Sequence, residues 1–115
     1  MTRGDVLLVR VPHASGVRGK KRPVVVVQAD LYNGQLATIV VAEVTSNLEL
    51  AGDPACLLIE VNTPDGLASG LLRDSVISGL LLVTVYVDSV DQTLGKLSPT
   101  LATRFDSCLR VALNL

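Results

Sequence analysis

Residues 22–29 read "RPVVVVQA": a cation, a proline, four consecutive valines and a polar ending. Branched side chains from 24 to 27 favour a pleated strand, whose surface accommodates their stiffness and bulk. A run that is apolar without alternation predicts a strand covered on both faces. Pro23 has no N–H to donate, so it belongs at the strand's beginning rather than its middle. A strand of this kind needs partners, and the chain supplies them on either side. Upstream, "GDVLLVRVP" (4–12) reads as a strand ended by Pro12, and "HASGVRGKK" (13–21) as a loop loosened by Gly16 and Gly19. Downstream, Asn33-Gly34 is a turn signal before "QLATIVVAEVT" (35–45), a longer and partly alternating strand. "ACLLIEVN" (55–62) is a fourth strand, "TPDGLASG" (63–70) a turn region, and "SVISGLLLVTVYVD" (75–88) a long strand with a bulge or bend at Gly79.

The period changes in the tail. In "SPTLATRFDSCLRVALNL" (98–115), Ser98 suits an N-cap and Pro99 the first helical position. Leu101, Phe105, Cys108, Leu109, Ala112 and Leu113 then recur at three- and four-residue spacing, forming one apolar stripe. Five or six strands and one amphipathic helix predict an α+β, mostly β domain, a small, strongly curved antiparallel sheet closed by that helix. At 115 residues the chain makes one domain, 1–115. Folding removes roughly 65% of its unfolded surface from water, enough for one core.

Composition excludes several classes. The chain has two cysteines, one histidine and no CxxC or HxxxH spacing, which argues against a zinc site and against a disulfide framework. Cys56 and Cys108 sit among apolar residues and read as buried, reduced thiols. There is no GxSxG elbow, no glycine-rich phosphate loop and no cofactor motif, so no cofactor is expected. No apolar stretch approaches the ~20 residues that cross a bilayer, and the opening residues do not resemble a signal peptide. The expectation is a soluble, cytoplasmic protein without membrane contact.

The formal net charge of −1 hides an asymmetry. Residues 1–22 carry six cations and one acid, a balance of +5, while residues 23–115 carry a balance of −6. Arg18, Lys20, Lys21 and Arg22 crowd the entrance of the valine strand. A basic lobe on an acidic body is expected where one face meets a polyanion, although such a cluster is also compatible with a solvated loop.

The order "RGDV" (3–6), a Gly/basic loop, "RPVVVVQAD" (22–30), "VAEVTSN" (41–47), "RDSVI" (73–77) and "LGKLSP" (94–99) before a C-terminal helix resembles the MazF/PemK family of toxins. The resemblance runs through essentially the whole chain. It implies an SH3-like small barrel of the CcdB/PemK-like type, a homodimer, a cognate acidic antitoxin, and sequence-specific, metal-independent cleavage of single-stranded RNA, with no DNA binding by the toxin alone. It also implies products with 2′,3′-cyclic phosphate and 5′-hydroxyl ends. The family's catalytic arginine and threonine fall on Arg22 and Thr45. Leu81 stands at the approximate place of the family's glutamine, with Val83 near the place of a basic residue.

The residues suit that chemistry. Attack by RNA's own 2′-hydroxyl needs a held backbone, charge relief at phosphorus and proton movement, but no protein nucleophile. A guanidinium offers paired donors to phosphate oxygens and stays cationic at ordinary pH. Thr45 can add a hydroxyl donor. Arg18, Lys20 and Lys21 are expected to neutralise flanking phosphates, Ser46 and Asn47 to touch base or ribose, and Asp74 to orient a cation or cap a strand end. His13 is the one side chain titrating near neutrality and is a candidate for proton transfer. Tyr32 and Tyr86 are the aromatic candidates for base stacking. Two other classes fit the same barrel: a gyrase-targeting, protein-binding toxin, and a non-catalytic relative that binds RNA or antitoxin.

Overall fold

The computed structural model, which describes residues 1–10 and 20–115, leaves Val24, Val25 and Val26 at most 1% exposed. They form the inner half of strand β2 (Lys21–Val26), flanked by antiparallel β1 (Asp5–Arg10) and β3 (Thr38–Thr45). Period-two alternation divides their side chains between two cores. Val25 joins Val6, Ala42, Val44, Leu57, Ile59 and Ile77 on one face. Val24 and Val26 join Leu7, Val9, Ile39, Val41 and Val85 on the other. The unbroken valine run therefore marks a strand buried on both sides, as its composition requires.

Helix α2 (Pro99–Leu113) covers the first core with Leu101, Phe105, Cys108 and Leu109. Ser98 caps it, its Oγ accepting the Leu101 N–H at 3.2 Å, and Asn114 ends it in the left-handed region. The predicted stripe is followed through Leu109; Ala112 is half-buried and Leu113 is exposed. Among the described residues, the second core contains strand residues only, and the sheet curls around it.

The six strands are ordered β4-β5-β3-β2-β1-β6, with β4 at Cys56–Ile59, β5 at Ser75–Tyr86 and β6 at Val90–Lys96. Much of the curl originates in β5. Val44 pairs with Ile77 and Ala42 with Leu82, leaving residues 78–81 opposite Glu43 alone. Gly79 lies in this bulge, as expected; its N–H donates to the Ala55 carbonyl at 2.9 Å, and a Cβ there would come within 2.8 Å of that oxygen.

The structure differs from the expectation in three places. The sheet is open, with β4 and β6 as edges, rather than a closed barrel ladder. Residues 63–70 are not only turn: they hold a short helix, α1 (Pro64–Ala68), whose N-cap Thr63 accepts the Gly66 N–H at 3.0 Å. Five residues are too few to express a helical period, although Thr-Pro is a start signal. The strand β6 escaped notice because its residues are mostly polar and exposed. Gly70 and Gly95 then let the chain after α1 lie against β6 backbone to backbone. A Cβ on Gly70 would stand 2.0 Å from the Leu94 carbonyl oxygen.

Both cysteines are free and buried. The Cys56 thiol lies 3.6 Å from Ser78 Oγ, and burial, reinforced by Cys56, pushes the Cys108 thiol up from its ordinary pKa. Among the described residues, no helix is long and apolar enough to cross a membrane.

Candidate active-site groove

Strands β2 and β3 pair Val24 with Glu43, Val25 with Ala42 and Val26 with Val41. Carried two residues outward, this register sets Arg22 opposite Thr45, and both residues lie within their strands. Directly opposed residues of an antiparallel pair project from one face, with Cβ atoms about 5 Å apart. Pro23 intervenes without an N–H to donate, so the ladder thins there and the strand ends open towards solvent. Arg22 and Thr45 are both exposed.

They share a groove of about 710 Å³. Lys20, Lys21, Arg22 and Pro23 form one wall; Val44, Thr45 and Ser46 lie at the end of β3; Gly70, Leu71, Leu72 and Arg73 form a second wall. Leu8 of β1 and Gln92 and Leu94 of β6 complete the lining. Among the described residues, the lining thus holds four cations and no acid. Lys21 Nζ is engaged by Asp91 Oδ1 at 3.0 Å across the half-exposed rim. Among the described residues, no hydrogen bond or ion pair engages the side chains of Lys20, Arg22 or Arg73.

The Thr45 hydroxyl accepts the Asn47 N–H at 3.1 Å, which leaves its own hydrogen free to donate into the groove. Asn47 turns its amide oxygen to the Glu49 N–H at 3.1 Å and does not line the groove, whereas Ser46 does. Asp74 is also outside the lining; its Oδ1 accepts the Val61 N–H at 2.9 Å, the strand-end capping arrangement. Tyr32, Tyr86 and Leu81 are exposed elsewhere. His13 and Arg18 lie outside the described residues.

Sequence reasoning missed Arg73 and Gln92. Arg73 is a lone cation between Leu72 and Asp74, with no cluster to announce it, and Gln92 sits in the strand that was not read. Their meeting with Arg22 is a product of topology: β5 flanks β3, and β6 flanks β1. Chemically the arrangement can grip an anion with guanidinium and hydroxyl donors while aliphatic surface, Leu72 being 95% exposed, meets apolar rings. Among the described residues, no three His, Cys, Asp or Glu side chains are grouped to hold a metal ion.

Comparison with known proteins gives one answer. The family profile described as a PemK-like, MazF-like toxin of type II toxin–antitoxin systems matches residues 2–113. Endoribonuclease MazF6 of Mycobacterium tuberculosis is 33% identical over 105 residues, covering 90% of this chain and 88% of that protein. Endoribonuclease MazF2 of Mycobacterium bovis matches equally. Among solved structures, a mycobacterial endoribonuclease in complex with its cognate antitoxin superposes with a TM-score of 0.81 at 18% identity, over 100% of this chain and 96% of that one. A MazE–MazF complex from Deinococcus radiodurans gives 0.73 at 20% identity, over 100% and 97%. These last two likenesses establish the shared fold.

Proposed function

The chain belongs to the PemK-like, MazF-like toxin family of type II toxin–antitoxin systems, and from that premise we propose that it is a sequence-specific endoribonuclease that cuts single-stranded RNA in the cytoplasm without a metal ion. The observation that carries the reading is the meeting of Arg22 and Thr45 at one sheet end, in a groove lined by cations and no acid. A polyanion would be attracted there, and a guanidinium and a hydroxyl lining one groove could act on a single diester.

In the proposed reaction the ribose 2′-oxygen attacks phosphorus, the bond to the 5′-oxygen breaks, and that oxygen leaves with a proton. The products are a 2′,3′-cyclic phosphate and a 5′-hydroxyl. Arg22 bears the negative charge that grows on the non-bridging oxygens, and Thr45 donates a hydrogen bond to the same group. A donor aimed at developing charge is worth about 10²–10³ in rate. Lys20, with Ser46 beside Thr45, holds the adjoining strand. Lys21 would first have to loosen from Asp91. His13 is the residue proposed to move a proton, which an ionisation in the pH–rate profile that vanishes in His13→Ala would verify.

A free ribonuclease of this type arrests its host, so the chain is paired with an antitoxin. MazF relatives are seen in complex with theirs. An acidic, initially disordered tail over the basic groove would imitate RNA phosphates and fold on contact. A homodimer would set two such grooves side by side.

The test is incubation of purified protein with mixed-sequence RNA in EDTA. Discrete fragments with the stated ends are expected, and Arg22→Ala should lower turnover by ~10²-fold or more. Arg22→Ala cleaving at the wild-type rate would sink the assignment. RNA bound but intact would instead indicate the non-catalytic relative, and RNA neither bound nor cut the protein-targeting toxin.

A further inference from the structure

Arg73, like Arg22, combines a fixed backbone with an unengaged side chain in the groove. Its carbonyl accepts the Ser75 hydroxyl at 2.8 Å, and the next residue, Asp74, holds the Val61 N–H at 2.9 Å. Upstream, Leu71 N–H donates to the buried Ser69 Oγ at 3.3 Å, and Gly70 lies against the β6 backbone at Leu94. The segment is anchored before and after Arg73. Arg73 nevertheless lines the groove and is exposed, and its side chain has no hydrogen bond or ion pair among the described residues.

An unengaged guanidinium carried on an anchored backbone, beside a groove whose described lining holds no acid, is a receptor for a second anion. Its position selects which one. Thr45 pairs with Val76, so Arg73 lies three residues along the chain from Thr45's partner, at most roughly 10 Å away. On the strength of the ribonuclease reading, we infer that Arg73 grips an RNA phosphate next to the scissile one, on the side away from Lys20. The groove then fixes RNA at three points: Lys20, the Arg22–Thr45 pair, and Arg73. Asp74 is the positioning residue for the third, which gives a role to a carboxylate that does not reach the groove itself.

The experiment uses a short single-stranded RNA spanning one cut site mapped on a long transcript. Each of its phosphates in turn is replaced by an uncharged methylphosphonate. Arg73→Ala should raise KM about tenfold with kcat little changed, and reduce the slope of log affinity against log salt by about 0.7. One non-scissile methylphosphonate should cost the wild type about tenfold and cost Arg73→Ala nothing further, because the contact is already gone. Arg73→Lys should retain the salt slope; Arg73→Gln replaces Arg73→Ala if the latter unfolds. A wild-type KM and slope in both neutral variants would overturn the inference, as would coupling that falls only on the scissile phosphate. Both results would leave the ribonuclease reading standing. A wild-type protein that cuts no RNA would take down the two together.

Discussion

The basic groove and the hollow beside α2 both contain arginines, and Arg3 of the hollow is used in the opposite way to Arg22 and Arg73 of the groove. The hollow, about 520 Å³, is lined by Arg3, Val27, Asp106, Leu109 and Arg110 among others. There Arg3 donates its Nε–H to the Val27 carbonyl at 3.0 Å and Nη1 to Asp106 at 2.7 Å, and its backbone N–H goes to Asp30 at 2.7 Å. Its charge is neutralised within the fold, tying the N-terminus to α2. In the groove, Arg22 and Arg73 have no such partner among the described residues, and only Lys21 is paired. Positive charge by itself does not mark a binding surface. What marks one is a cation whose donors the protein leaves unused, beside an absence of acids in the lining.

That contrast can be broken most directly by exchanging the two arginines' fates. Arg3→Ala should leave RNA turnover within about twofold of wild type while lowering stability by about 1 kcal/mol, against the ~10²-fold loss in turnover expected of Arg22→Ala. Urea unfolding and cleavage assays on the same two preparations decide it. Equal loss of turnover in both would erase the distinction drawn here.

A second prediction sharpens the role of the glycine contact behind the Arg73 wall. Gly70 combines φ +74° with a carbonyl oxygen where its Cβ would stand. Gly70→Ala should therefore destabilise by at least ~2 kcal/mol. Gly52→Ala, at a site with open space, should change stability by less than about 0.5 kcal/mol. Denaturant midpoints that do not separate the two variants would refute the account of how this wall is held.

The smallest effect concerns acid. Asp30 accepts from the Arg3 N–H at 2.7 Å and from Asn33 at 2.9 Å, and these bonds, the backbone one foremost, hold its carboxyl below the usual range. Because the folded state favours the carboxylate, its contribution is present above the ordinary aspartate pKa of ~3.9 and is lost as pH falls through the lower folded value. The stability difference between wild type and Asp30→Asn should thus be greatest near neutrality and shrink below about pH 4. Being exposed, the group contributes little. A difference that grew on acidification would have the wrong sign.

How much of this was legible beforehand varies with the range of the signal. The valine run, the Ser98-Pro99 helix start and the Gly79 bend are encoded in neighbouring residues, so local reasoning found them. Arg22 and Thr45 stood out because they end two recognisable strands, with a family resemblance to pair them. Helix α1 is too short to show a period, and β6 is too polar to show alternation. Arg73 opens the "RDSVI" stretch, but as a lone cation it has no neighbouring charges to mark it as part of a groove.

From the amino-acid order alone came every strand but β6, the capped helix and the concentration of cations before residue 23, since each depends on side chains within a few positions. Which of those cations remain available was decided by the folded chain. Arg3 loses its freedom to a carboxylate 103 residues away, whereas Arg73 joins Arg22 in one groove because β5 lies beside β3. Electrostatic pairing acts through space, over a few ångströms, and separation along the chain says nothing of it.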